Sequence, residues 1–366
     1  MKSRRFPIAL LFLAPNLLGF ALFTLIPVVL SFAGSFTDWS LRPSNSLHFI
    51  GWENYARLAQ DQNFRFYLYN TLYLMLGLPF SIGGALLLAV LLHSPFTFSG
   101  AGFARRAALA TLGVSVASAA ILWLAGCPNL AYVIGALGLL GALGLAFGSV
   151  TYRTVFYLPY FTAGAATILL WTQLYNPNFG LINQGLTHAA SLVGLQAHGP
   201  GWLTSTRSLL GFLPWPRFFN NGGFGLGARE AIILMGIWSA IGGNNLILFL
   251  AGLSNIPPEL NEAATIDGAG GWQRFKHITV PQLAPTTFFI VVISLIGGLQ
   301  GGFEQARMMT FGGPAGVTTT LSYYIYQQGF ERLDLGYGSA VAWLLFVLVF
   351  GLTLWRWRRE ARNGSN

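Results

Sequence analysis

The residues able to do acid–base, nucleophilic or metal chemistry are few in this 366-residue chain, and their spacing does not suit it. Five histidines, His48, His93, His188, His198 and His277, are scattered with no second histidine or carboxylate at ligand spacing. The single Cys127 excludes a disulfide framework and a multi-cysteine metal site. The only lysines, Lys2 and Lys276, follow Met1 and Phe275. The Gly-Lys-Ser/Thr of a phosphate-binding loop is therefore absent, and with it that route to ATP hydrolysis. Neither His-Glu-x-x-His nor Gly-x-Ser-x-Gly occurs, so the usual signatures of an intramembrane hydrolase are missing. What remains is neutral hydrogen-bonding chemistry inside apolar stretches: Trp238, Ser239 and Gly242 to Asn245 in one, Trp171 and Gln173 in another, Gln300 in a third. Amides match hydroxyl groups, and an aromatic face matches the C–H face of a pyranose. Trp171, Gln173, Ser239, Gly243, Asn244, Asn245 and Gln300 are thus the expected lining of a path for a sugar-like solute. The alternative for each is a cross-link between helices, worth about 0.6 kcal/mol per hydrogen bond.

The elements that must carry these residues are membrane spans. Hydrophobic residues make up 54% of the chain and charged ones 8%, where a soluble domain carries about a quarter charged. Mean hydropathy is +0.58 and glycines number 45, a composition that excludes a water-soluble enzyme and a disordered chain and suits close-packed membrane helices. Eight apolar runs exceed the length needed to cross a bilayer: 8–32, 66–93, 107–126, 129–149, 154–175, 231–253, 283–303 and 335–355. None contains a charged residue. Runs this long and continuous are helices, because a β-barrel would need short alternating strands. The opening Met1-Lys2-Ser3-Arg4-Arg5 and its apolar run are too long for a signal core and read as an uncleaved first helix. An ion-coupled carrier would hold an ionisable relay within the membrane; Glu304, at the end of the seventh run, comes nearest.

Basic residues set the orientation. With the N-terminus inside, twelve basic and four acidic residues face the cytoplasm, a net of +8, and the other side nets +1. Both termini are cytoplasmic on this count. The long outer segments 33–65 and 176–230 carry Trp39, Trp52, Trp202 and Trp215, which suit interfacial seating or contact with another protein. No Lys/Arg cluster stands apart from a span edge, so nucleic acid is not an expected partner.

One cytoplasmic segment, 254–285, stands out. Pro257 and Pro258 suit the first turn of a short helix, Glu259 and Glu262 complement its positive end, and Gly268 supplies a stop. Leu260, Ala263, Ala264 and Asp267 share one small face able to enter a groove on another protein. Trp272 and Phe275 follow one turn apart, and Pro281 and Pro285 stiffen the start of the next span. The other physical reading is an amphipathic connector lying on the membrane.

The spacing Glu262-Ala263-Ala264, Gly268, then Ile278-Thr279-Val280-Pro281 resembles the EAA loop of binding-protein-dependent ABC importer permeases, with Val280 in place of the usual leucine. Asp267-Gly268-Ala269 and Phe275 resemble the sugar-importer branch. Asn54-Tyr55, Asn70-Thr71-Leu72, Arg153 to Pro159, Gly312-Gly313-Pro314, Thr318 to Thr320, Tyr323 to Tyr326 and Phe330 resemble the maltose-type group. That resemblance implies an all-α polytopic permease bundle that takes up oligosaccharides or glycerol phosphates and has no cofactor of its own. ATP and Mg would be bound by a partner ABC ATPase dimer, into whose cleft Glu262, Ala263, Ala264, Asp267, Gly268, Phe275 and Pro281 would dock. A second permease, an extracytoplasmic sugar-binding protein, the sugar and membrane lipid complete the implied partners. The chain departs from the family in an insertion, 95–150, holding the two apolar runs 107–126 and 129–149. The expected organisation is two helices with an outer loop in 1–94, an inserted two-helix hairpin in 95–150, and the remaining core in 151–366. That makes about eight spans, six core plus the hairpin. A re-entrant hairpin, and a stand-alone ion-coupled carrier, are the competing readings.

Overall fold

The structure is a computed structural model describing residues 5–42, 47–93, 101–124, 164–192, 199–212 and 222–363, with scattered residues between 132 and 160. The described residues are helical, with isolated bridges and no strand. Six helical stretches are long and apolar enough to cross a membrane: Phe12–Gly34, Gln62–His93, Arg106–Leu124, Ala228–Ser254, Ala284–Thr310 and Leu335–Leu354. Gly164–Leu174 is apolar but shorter. The predicted run 129–149, the turn at 126–129, Trp215 and the first part of the run 154–175 lie outside the described residues, apart from scattered positions.

The helices used below are α1 (Arg5–Phe20), α2 (Ile26–Gly34), α3 (Glu53–Gln60), α4 (Gln62–Leu74), α5 (Leu78–His93), α6 (Ala101–Leu124), α7 (Gly164–Leu174), α8 (Leu181–Leu192), α9 (Ala228–Ile241), α10 (Asn244–Ser254), α11 (Pro258–Ile266), α12 (Gly271–Arg274), α13 (Ala284–Gln300), α14 (Leu321–Tyr326) and α15 (Leu335–Asn363). Packing divides them into two compact units.

The first unit holds Met1–Tyr69, Leu299–Phe303 and Thr319–Asn366. Here α15 packs on α2 and α3, and Trp343 Nε1 donates to Ser31 Oγ at 3.1 Å. Buried Asn54 donates to the carbonyls of Ser35 and Thr37 at 3.0 and 2.9 Å, tying α3 to the end of α2. Asp61 accepts hydrogen bonds from the Tyr324 and Tyr337 hydroxyls. Partial burial works against its charge, but the two phenols, with backbone donors, outweigh that and hold its carboxyl below the ordinary range.

The second unit holds Asn70–Gly298 and Glu304–Thr318. Helix α5 runs beside both α9 and α10, and Ala85, Ala89, Leu246, Phe249, Leu253, Leu283 and Ile290 form one core. Small residues on α5 permit close helix approach, the driving term where lipid competes with protein for apolar contact. A second core joins Ile168, Tyr175, Trp202, Ile232, Met235 and Met309. Trp202 is therefore buried, its Nε1 donating to Asn183 Oδ1 at 2.8 Å, and does not serve as the interfacial anchor the sequence predicts. On α6, Ser115 and Thr111 lie against Gly138 and Gly141, a small-residue contact of the kind an inserted hairpin requires.

Two spans depart from their predicted form. Ala228–Ser254 starts three residues early and takes in Arg229 and Glu230, and Ala284–Thr310 runs past 303 and takes in Glu304 and Arg307. The expectation of charge-free spans is corrected at these outer ends. Both spans are also interrupted, at Gly242-Gly243 and at Gly301-Gly302.

Candidate functional site

The cytoplasmic segment has the local structure its residues dictate. Pro257 caps α11 and Pro258 opens it, where a missing amide hydrogen costs little. At the far end Gly268 has φ +78°, a left-handed conformation that favours glycine. Its N–H donates to Thr265 O at 3.1 Å, and Ala269 N–H donates to Ala264 O at 2.8 Å. That pair is a Schellman ending, closing the helix within one turn. No residue of α11 is buried. Glu262 and Ala263 are exposed and Ala264 half-buried, while Ile266 stands 87% exposed.

Helix α12 begins where Gln273 Oε1 accepts from Gly270 N–H at 2.8 Å. Trp272, 73% exposed, meets the half-buried Phe275 ring at 5.5 Å. A π-helical turn, Phe275–Thr279, precedes Pro281, whose missing N–H leaves a carbonyl one turn back without its usual donor. Between the two helices lies a cavity of about 460 Å³ lined by Ala264, Asp267, Ala269, Arg274 and His277 among others. Arg274 donates to Thr265 Oγ1 at 2.9 Å, and its buried Nε meets no acceptor among the described residues. The predicted docking residues thus lie on two consecutive pieces, Glu262 to Gly268 on and just past α11, and Phe275 and Pro281 in the turns after α12, with Glu262, Ala263, Asp267, Gly268 and Pro281 exposed and Ala264 and Phe275 half-buried.

The residues predicted to line a solute path lie on separate elements. In the second unit, Trp171 of α7 meets Trp238 of α9 edge-on at 5.5 Å and Tyr175 at 5.2 Å. Its buried indole N–H meets no acceptor among the described residues. Gln173, two residues on, is exposed on another side of α7. The span carrying Ser239 is two half-helices, α9 and α10, separated by Gly242-Gly243. A Cβ at Gly242 would sit 1.9 Å from Phe156 O, so only glycine permits that approach. Asn244 and Asn245 then occupy the first turn of α10, whose amides lack intrahelical partners. Gln300 ends α13, its carbonyl accepting from Ser322 Oγ at 2.5 Å in the first unit. Gly-interrupted spans with polar residues at the break are the arrangement transporters use for solute sites.

Sequence reasoning missed the buried pair at the start of α9. Arg229 is 1% exposed and Glu230 2%. The Arg229 guanidinium donates to Asn70 Oδ1 from Nη2 at 2.7 Å and Nε at 3.2 Å, and to Val317 O at 3.0 Å. Glu230 accepts from Gly227 N–H at 3.1 Å, Leu209 N–H at 2.8 Å and the Tyr73 hydroxyl. The one sequence signal was two adjacent charges abutting an apolar run.

Comparison with known proteins identifies the family. The family model described as binding-protein-dependent transport system inner membrane component matches residues 136–359. The sn-glycerol-3-phosphate transport system permease protein UgpA of Yersinia pestis bv. Antiqua is 35% identical over 238 residues, 63% of this chain and 72% of that protein. A probable ABC transporter permease protein of Pyrococcus horikoshii is 28% identical over 99% of both chains. A chain of a bacterial ABC transporter involved in import of the acidic polysaccharide alginate shares the fold, with TM-score 0.68 and 22% identity over 99% of this chain and 97% of that one. From its matched length and its relatives, this chain belongs to the family of binding-protein-dependent transport system inner membrane components.

Proposed function

We propose that this chain is a transmembrane permease subunit of an ATP-driven importer of sugars, of the oligosaccharide or glycerol-phosphate class. It forms part of the translocation path and performs no catalysis. A second permease subunit completes the path, a separate ABC ATPase dimer binds ATP and Mg, and an extracytoplasmic sugar-binding protein delivers the solute. The relatives named for glycerol-3-phosphate transport and alginate import support the substrate class. The related alginate transporter, solved with its pentasaccharide-bound periplasmic protein, supports the binding-protein partner. No observation favours a stand-alone ion-coupled carrier.

The observation that carries the reading is α11: a Schellman-ended helix on the basic side of the bilayer, with Ile266 projecting into solvent. A large apolar side chain held out on so short a helix fits a groove on a partner. Trp238, the donor N–H of Trp171, Ser239 and the amides at the Gly242-Gly243 break supply the aromatic and hydrogen-bonding groups a sugar needs. Residues 95–150 form the inserted hairpin, and a cysteine placed at Asn129 is expected to label from outside.

The test is cross-linking from Ile266→Cys in membranes containing the complete transporter. Adducts to a nucleotide-hydrolysing subunit are expected. A complex that still transports but yields adducts only to lipid-phase probes overturns the docking assignment in favour of a membrane-surface connector.

A further inference from the structure

The Arg229–Glu230 pair lies outside both the solute path and the cytoplasmic helix, and its cost demands a reason. Burying charge costs several kcal/mol per ion after relaxation, and apolar replacements of similar volume are often as stable. An arginine in the first turn of a helix also opposes the macrodipole, whereas a glutamate there complements it. The pair nevertheless joins distant segments within the second unit. Arg229 grips Asn70 of α4 and the carbonyl of Val317, and its guanidinium lies 5.2 Å from the Tyr73 ring centre. Asn70 in turn donates to Gly316 O at 2.8 Å. Glu230 takes the Tyr73 hydroxyl on one side and the backbone of Leu209 and Gly227 on the other. That outer segment is itself paired, with Ser208 N–H to Gly223 O and Gly225 N–H to Ser208 O, each at 3.1 Å.

From these contacts we propose that Arg229 and Glu230 are positioning residues that make the outer stretches 205–212 and 222–227, residues 316–318 and α9 one rigid body. A protein seated on the outer face thereby acts on the Gly242-Gly243 break at the far end of α9. The helix transmits the displacement because its fourteen residues contain no other interruption. This deepens, and rests on, the reading of the chain as a binding-protein-dependent permease.

The test uses the complete reconstituted transporter, with ATP hydrolysis measured with and without its sugar-loaded binding protein. For Arg229→Gln the assembled complex is expected to keep its basal rate within twofold and to lose at least tenfold of the stimulation. Wild-type stimulation, or a parallel fall of basal and stimulated rates, overturns the proposal, since a general packing defect would lower both. Should Arg229→Gln fail to assemble, Tyr73→Phe decides, because it keeps the ring and removes only the hydroxyl held by Glu230. At least threefold lower stimulation at an unchanged basal rate is expected, and undiminished stimulation overturns the proposal. A wild-type complex unresponsive to its binding protein would instead overturn the permease reading, a separately recognisable result.

Discussion

The two faces of the protein treat charge in opposite ways. On the inner side, Glu259, Glu262 and Asp267 stand in solvent on a helix that buries none of its residues. On the outer side, Arg229 and Glu230 are almost fully buried and bound by side chains and backbone from three other segments. The inner element is closed by local contacts at its ends and by Arg274, and leaves most of its surface exposed; the outer one is held by distant neighbours.

The largest effect that would test this contrast is Glu230→Ala. It strands two backbone N–H groups and leaves the Tyr73 hydroxyl with Ser208 Oγ, at 3.1 Å, in place of a carboxylate, and the purified chain should lose about 3–5 kcal/mol, read as a large drop in thermal midpoint. Gly268→Asp should act differently. A non-glycine residue at φ +78° costs about 1–2 kcal/mol locally, so the bundle should keep its midpoint while ATP hydrolysis uncouples from transport. Glu262→Lys should uncouple in the same way, by reversing an exposed charge midway along the helix. If either variant transports normally with its ATPase, the inner face is not the docking surface.

Asp61→Asn tests a half-buried intermediate. The carboxyl's folded pKa lies below its ordinary value of 3.8, so its stabilisation is complete above that value and fades as pH falls through the lower, folded one. The variant should lose about 1 kcal/mol at neutral pH, allowing for solvent screening, and should lack that acid-side loss. Smallest of all, Asp38→Asn should leave the thermal midpoint unchanged. Asp38 is held below the ordinary carboxylate range by the backbone N–H and then the side chain of His48, yet the ion pair is open to solvent, the Asp38 side chain 32% and that of His48 65% exposed.

What was legible in the sequence follows the same division. The ends of α11 were readable because Pro257, Pro258, Thr265, Gly268 and Ala269 act on one another within a dozen residues. The spans were readable because apolar length is a local property. The Arg229 partners were not, because Asn70 lies 159 residues away and Val317 88, and no local pattern marks such a contact. Trp202 was misplaced for the same reason: an outer-loop tryptophan reads as interfacial until Asn183 and Tyr175 are seen to enclose it. The glycine and asparagine cluster at 242–245 pointed to a polar site, but its composition alone did not reveal that the helix breaks there.

That break carries a consequence for solvent. At the break in Ala228–Ser254, the Gly242 and Gly243 N–H groups fall back on Ala240 O and that of Leu246 on Gly243 O, which leaves the first-turn amides of Asn244 and Asn245 to look beyond the helix for acceptors. Asn244 is exposed and Asn245 half-buried there, an opening that water or solute can reach. Hydrogen–deuterium exchange at Asn244 and Asn245 should run far ahead of that along the uninterrupted stretch of α15, and slow when the well is filled.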